Sequence, residues 1–278
     1  MLKISNFEVM GWEHAIRGMR NPMNSWDKSD SCTQGCVWCN EFCGNPIPEC
    51  DKESGLYIGP NDLSLMKRLR DAGTDHRKFM RMITVYLDIT APLYWWKEFD
   101  TYKVGTVANS CSTMHKIAEK KFTLEDFSYE HLGVPTFATN ENGEDVPVVQ
   151  NLWEESLKRT INDLNIARDF YISSYEPGLK RQYWWQMIQL LPSSYNQKRT
   201  VMLNYEVLAN IYKSRRNHKL DEWHSFCNWI EELPYSELIT GELKNNELLS
   251  MPFEGLIMNS VRELFGMAPI KNGEETDK

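Results

Sequence analysis

Four residues at helical spacing carry the first chemical signal in this chain: Asn204, Leu208, Ile211 and Arg215. At 3.6 residues per turn they fall within about 60° of one another, so one helix face sets an apolar pair between an amide and a guanidinium. An Arg on a core-facing stripe requires a carboxylate, a carbonyl, or an anionic or polar ligand. A side chain that snorkels to the helix end gives the same pattern with no ligand. The second signal is Cys32-x-x-x-Cys36-x-x-Cys39-x-x-x-Cys43, followed by Cys50. Four thiolates this close could hold Zn²⁺ or an iron–sulfur cluster. Only Cys36 and Cys39 form a C-x-x-C pair, so free loop cysteines fit the spacing as well.

Composition bounds what these residues can belong to. At 278 residues and 41% hydrophobic, the chain can bury a sizeable core, and no Pro-, Gly- or Ser-rich linker divides it. The expected organisation is one domain over residues 1–271, with a Cys-rich insertion at about 27–57 and a polar, disordered tail at 272–278. Ten tryptophans imply a well-filled core or a subunit interface. A formal net charge of -8 argues against nucleic-acid or anionic-membrane binding, while leaving room for a phosphate ligand in a local basic pocket. No stretch approaches the roughly 20 apolar residues of a membrane span, and the N-terminus lacks a signal-peptide pattern. The expectation is a cytoplasmic protein, where clustered cysteines speak for metal rather than disulfides.

The elements that must position these residues follow from periodicity. Residues 3–10 alternate as a strand, and residues 20–57 read as loop. Asn61 is the expected cap of a helix through Leu63, Met66 and Leu69 that stops at Gly73. Phe79 to Ile89 is the clearest strand, ended by Pro92, and Leu93–Phe99 a short helix. Further helices are expected over Gln150–Ser173, Gly178–Leu190, from Asn204, and through Leu220, Trp223, Cys227 and Ile230 to Pro234. Ser250 can cap another, carrying Phe253, Leu256 and Val261. The stripes they carry are mostly core.

Order and spacing give these elements a family likeness. Leu191-Pro192, then Asn204, then Arg215 reproduces the ungapped spacing of a Leu-Pro, an Asn-x-Arg-x-Leu helix start and an Arg in flavin-dependent thymidylate synthases, which the chain resembles. Asp75-His76, the strand, Ala91-Pro92 and then Tyr102 to His115 follow in the order of that family's Gly-His element, strand, Ala-Pro and R-H-R-x-x-S-x-N-x-x-S-x-R-Y motif. Asn109 and Ser112 match this motif. Aligning on Pro92 instead shifts the register by one, so that Lys103 stands for the second Arg and Glu98 for a Gln that binds nucleotide. The likeness covers residues 58–118 and 180–225.

The resemblance implies an α+β fold, helix-rich around a central, mostly antiparallel sheet. It also implies a homotetramer with FAD at its subunit junctions and a small-molecule nucleotide as ligand. Methylenetetrahydrofolate and NADPH would be the co-substrates that turn dUMP into dTMP. Arg215 then matches the Arg that contacts the pyrimidine and is the candidate catalytic residue. His76, Asn109 and Asn204 are flavin candidates, and Glu98, Lys103, Ser112 and Arg215 substrate candidates. The segment bearing Asn204 and Arg215 should lie beside that bearing Asn109 and Ser112, around a shared pocket. Zinc at Cys32, Cys36, Cys39 and Cys43 is not implied by the family.

The departures fall on the cations. Four family Arg positions read Tyr102, Val104, Met114 and Ile188, and a fifth reads Glu206. Each lost charge-assisted bond costs roughly 1.5–3 kcal/mol. Lys180-Arg181 and Lys198-Arg199 could compensate or could be solvated surface charges. Trp95-Trp96 and Tyr102 could stack on a ring or belong to the core. Three functions stay open: a divergent thymidylate synthase, a catalytically degenerate nucleotide- or flavin-binding or structural protein on the same fold, or a metal-stabilised interaction module built on the cysteine loop.

Overall fold

The chain enters its central sheet at once. β1 (Lys3–Met10) pairs antiparallel with β2 (Thr84–Pro92), with a bulge between Ser5 and Glu8. This computed structural model describes residues 2–32, 56–140, 142–143, 145–150 and 152–241. The chain divides into two compact units, Met1–Thr240 and Gly241–Lys278. Apart from Gly241, the second unit lies outside the described residues, as do the helix expected from Ser250 and the expected tail.

The sheet has the order β1-β2-β6-β3, where β6 is Asn196–Asn204 and β3 is Val107–Ser110, and every neighbouring pair is antiparallel. One face is the core. Val85, Leu87, Ile89 and Ala91 of β2 and Val201 and Leu203 of β6 are all at most 1% exposed. The other face carries Tyr86, Asp88, Lys198 and Thr200, as expected of an antiparallel sheet covered on one side only.

Helices cover the buried face. α1 (Trp12–Arg20) and α2 (Pro60–Asp71) follow β1 in the chain. α3 (Leu93–Phe99) follows β2 directly. After the short α4 (Thr113–Lys116) come a hairpin, β4 (Val134–Thr139) with β5 (Asp145–Gln150), and the paired helices α5 (Leu152–Ser173) and α6 (Pro177–Leu190). α7 (Tyr205–Arg215), α8 (Asp221–Glu231) and α9 (Glu237–Thr240) close this unit. The architecture is the helix-rich α+β fold with an antiparallel sheet that the sequence implies.

Two elements differ from the periodicity. Residues Arg77–Met82 form a 3-10 helix, so the strand begins at Thr84 rather than Phe79 and runs to Pro92. Asn61 does not cap α2, because the cap position falls two residues earlier, at Gly59, and the helix starts at Pro60. The cap is remote: the Asp30 carboxylate accepts the main-chain N–H groups of Asn61 at 2.9 Å and Asp62 at 3.0 Å. Gly59 is fixed by this contact, since a Cβ there would meet Asp30 Cγ at 2.2 Å. Gly73 ends the helix as expected, at φ +102.

An aromatic cluster sets the geometry around α3. Trp95, Trp96, Phe99, Trp223 and Phe226 are at most 1% exposed. Trp95 lies 5.1 Å from Phe99 and 4.7 Å from Trp223, ring centre to ring centre. Trp96 Nε1 donates to the Gln197 carbonyl at 2.9 Å, tying α3 to β6. Trp95 and Trp96 are therefore core, not stacking platforms. Burying rings of this size stabilises by about 1.5–3 kcal/mol each, which fixes α3 against α8 and points Glu98 along their shared edge.

Candidate functional site

The site is assembled where α3, α7 and α8 meet. Asn204 caps α7: its side-chain oxygen accepts the Val207 N–H at 3.0 Å. Such a cap contributes about 1 kcal/mol and fixes the direction in which the helix leaves β6. Arg215 sits in the last turn, where a cation also complements the helix dipole.

Arg215 is committed to protein partners. Its Nη1 donates to Glu98 Oε2 at 2.8 Å and its Nε to the Tyr102 hydroxyl at 2.9 Å. Its guanidinium lies 4.9 Å from the Trp223 ring centre, within cation–π range. The same Glu98 oxygen accepts from Trp223 Nε1 at 3.0 Å, and His218 Nε2 stands 3.3 Å away. His218 Nδ1 accepts the Leu220 N–H, which leaves its Nε2 proton for Glu98. One carboxylate oxygen thus collects two donors and a third contact. The side chains of Arg215 and Glu98 are only 18% and 34% exposed, so the pair is worth more than a surface ion pair.

A second charge pattern lies at the start of α7. Glu206, at a family Arg position, is held by Arg81, and by Arg77 Nε at 3.2 Å. Burial pushes its carboxyl upward, but the two guanidiniums outweigh that and hold it below the usual range. Arg77 also donates to Asn210 at 3.1 Å. The charge has been inverted and then balanced locally.

The remaining candidates spread out. His76 is exposed at the start of the 3-10 helix, and Lys103 is exposed beside Tyr102. Asn109 is exposed on β3, opposite Thr200. Ser112 caps α4, its hydroxyl accepting the His115 N–H at 3.1 Å. β3 pairs with β6, which runs into α7, but Asn109 lies opposite Thr200 and Cys111 bonds to Lys198, so Ser112 sits toward the start of β6, away from the α7 end that bears Asn204. The two segments do not share the cavity that Ser112 lines, of about 330 Å³, whose walls include none of Asn109, Asn204 and Arg215. Ile188, at another family Arg position, packs against the apolar cluster of α5 and α6, and Met114 is 48% exposed. Lys198 and Arg199 are each paired, with Asp88 and Asp100.

Towards a flavin, His76 and Asn109 offer exposed polar side chains. Asn204 keeps only its amide NH₂, with Gly105 packed against it: a Cβ at Gly105 would meet that nitrogen at 3.0 Å. Cys36, Cys39 and Cys43 lie outside the described residues, and Cys32 is described mainly through its bridge to Tyr57. Among the described residues no three potential metal ligands gather.

Sequence reasoning did not find His218 or the Arg77–Arg81 clamp. His218 stands three residues after Arg215, a helical neighbour spacing, but helix α7 ends between them, and only the turn brings the ring back.

No protein-family model matches the chain, and no curated protein does. Solved structures do. A crystal structure of thymidylate synthase X (ThyX) from Helicobacter pylori with FAD and dUMP shares 16% identity, covering 87% of this chain and 98% of that one, with a TM-score of 0.54. A second crystal structure of the flavin-dependent thymidylate synthase from Helicobacter pylori, also with FAD and dUMP, shares 16% identity over 87% and 97%, at TM-score 0.53. The chain has the fold of flavin-dependent thymidylate synthases. No helix among the described residues is long and apolar enough to cross a membrane.

Proposed function

We propose that this chain is a nucleotide- or flavin-binding protein on the thymidylate synthase scaffold in which methylation of dUMP has been lost. The commitment of Arg215 to Glu98 carries this reading. A guanidinium that donates from Nε and Nη1 inside the protein keeps only three of its five N–H groups, and a carboxylate beside them competes with any pyrimidine for them. An anionic nucleotide at that point would also meet the charge of Glu98. The family's other cation positions hold Tyr102, Val104, Ile188, Met114 and Glu206, with Lys103 the one cation left, in the register that aligns it with the second Arg. Support for a retained ligand comes from the fold, whose solved relatives carry FAD and dUMP, and from the exposed His76 and Asn109.

A thermal-shift screen of nucleoside monophosphates and flavins tests the retained binding. Ligand at 100 times its Kd adds about 2.7 kcal/mol to the folded state. For a chain of this size that corresponds to a Tm rise of roughly 5–10 °C. A rise with at least one nucleotide or flavin is expected. No rise with any of them contradicts the binding half of the proposal.

A further inference from the structure

A cavity of about 400 Å³ lies along α2, lined by Arg20, Lys28, Asn61, Ser64, Leu65 and Arg68. Asn61, Ser64, Leu65 and Arg68 stand at i, i+3, i+4 and i+7, so they form one face of the helix. Asp62 and Met66 turn to the buried side. The family resemblance assigns no ligand contact to any of the six lining residues.

Arg20 is the buried part of this lining, at 4% exposure. Its Nε donates to Asp62 at 2.6 Å and its Nη1 to the Ser25 carbonyl at 3.1 Å. Nη2 makes no hydrogen bond among the described residues, and its two N–H groups are the donors left for the cavity. Lys28 and Arg68 are exposed, and neither side chain has a hydrogen bond or ion pair among the described residues. Among those residues no Asp or Glu lines the cavity. Two carboxylates are bonded to its lining residues, and both are committed. Asp62 offsets Arg20 and also accepts from Ser29 and Ser31. Asp30 accepts the N–H groups of Asn61 and Asp62, and so complements the positive end of the helix dipole. The charges of Lys28 and Arg68 remain unbalanced, in a chain whose formal net charge is -8.

We propose that this cavity binds an inorganic oxyanion with two charged groups, diphosphate in size. Lys28 and Arg68 supply the charge, and Arg20 Nη2 and the Ser64 hydroxyl donate. Asn61 and Arg68 are separated by a helix rise of about 10 Å, so the donors spread over more than one phosphoryl group. The volume falls within the range of small-molecule sites, about 300–1,000 Å³. Leu65 is the one apolar side chain and no ring lines the cavity among the described residues, so nothing there stacks on a base or an isoalloxazine. The site is therefore separate from the nucleotide- or flavin-binding reading and does not rest on it.

Lys28 supplies the reporter. The full chain is treated with limiting N-hydroxysuccinimidyl acetate, and acetylation of Lys28 is followed by mass spectrometry against Lys78, an exposed lysine outside the lining. The probes are diphosphate, orthophosphate and adenosine 5′-monophosphate at one ionic strength. Diphosphate at about ten times its Kd is expected to slow Lys28 acetylation about tenfold and to leave Lys78 unchanged. Arg68→Glu and Arg68→Gln remove no side-chain hydrogen bond or ion pair among the described residues. Each should raise the diphosphate concentration needed by about tenfold or more. Unchanged Lys28 acetylation at roughly 10 mM diphosphate, some 100 times a 0.1 mM Kd, overturns the proposal. So does equal slowing of Lys28 and Lys78, which is ionic screening alone, or equal protection in Arg68→Glu. Protection by orthophosphate or adenosine monophosphate at the same concentration as diphosphate also overturns it, the first by removing the second charged group and the second by making this a nucleotide site.

Discussion

Arg215→Ala is expected to lower the melting temperature by about 5–15 °C. The guanidinium makes one bond to a carboxylate and one to a phenol, and it lies over an indole. Removing it leaves Glu98 with the Trp223 indole and His218 as its remaining partners. Breaking a fully buried pair costs about 3–5 kcal/mol; partial exposure of both side chains reduces this to about 2–4 kcal/mol. At roughly 2–4 °C per kcal/mol, the shift is readily measured by calorimetry. The sign separates two accounts. An Arg held out for a ligand is strained or uncompensated, and its removal leaves stability unchanged or raises it. Arg215→Lys should fall between, since a point charge keeps the pairing with Glu98 but not the second bond to Tyr102. An unaltered or raised Tm in Arg215→Ala means that the arginine is not structural.

Asp62→Asn should cost about 3–5 kcal/mol, the largest single effect on stability anticipated for this fold. Asp62 is fully buried, and Arg20 is 4% exposed. Arg20 Nε donates to one carboxylate oxygen at 2.6 Å; the other accepts from Ser29, Ser31 and the Asp30 N–H. These bonds join the end of α1 to the start of α2 through Ser29, Asp30 and Ser31. Asparagine keeps the shape but leaves the Arg20 charge uncompensated. A pH dependence accompanies the loss. Burial pushes the Asp62 carboxyl upward, while the bonds from Ser31, Ser29 and Arg20 outweigh it and set the net value below the ordinary range. A carboxyl lowered on folding contributes stability that is complete above about pH 4 and disappears as pH falls through the folded value. Urea unfolding at pH 7 should show the full difference between wild type and Asp62→Asn, and at pH 3 a smaller one. A difference that is constant across this range would rule out an ionised Asp62 as its source.

Much of this arrangement is legible in the sequence, for identifiable reasons. Asn204 and Arg215 declare α7 because an amide before an apolar stripe and a cation at its end suit the two helix termini. α3, α5, α6 and α8 follow from the same periodicity. β6 is hidden because Lys198, Thr200 and Met202 face the uncovered side, where no apolar alternation is imposed, and β3 is four exposed residues. The strand start at Phe79 is misplaced because Phe79 and Met80 are both buried by a 3-10 turn, which mimics an apolar strand. The partner of Arg215 is beyond sequence reasoning in a different way. Glu98 lies 117 residues away, and a resemblance that assigns both residues to a nucleotide gives no hint that they bind each other. The remote cap by Asp30 is similar: local spacing points to Asn61, and only tertiary structure brings the stronger acceptor to the helix end.

The loss of dUMP methylation is tested most directly by tritium release. The chain is supplied with FAD, NADPH, methylenetetrahydrofolate and dUMP labelled at C5, and release is compared with a reaction lacking protein. With Arg215 held by Glu98 and Lys103 the one cation left at the other matched positions, release should equal the protein-free control. Protein-dependent release of tritium with formation of dTMP would contradict the account and return Arg215 to a substrate.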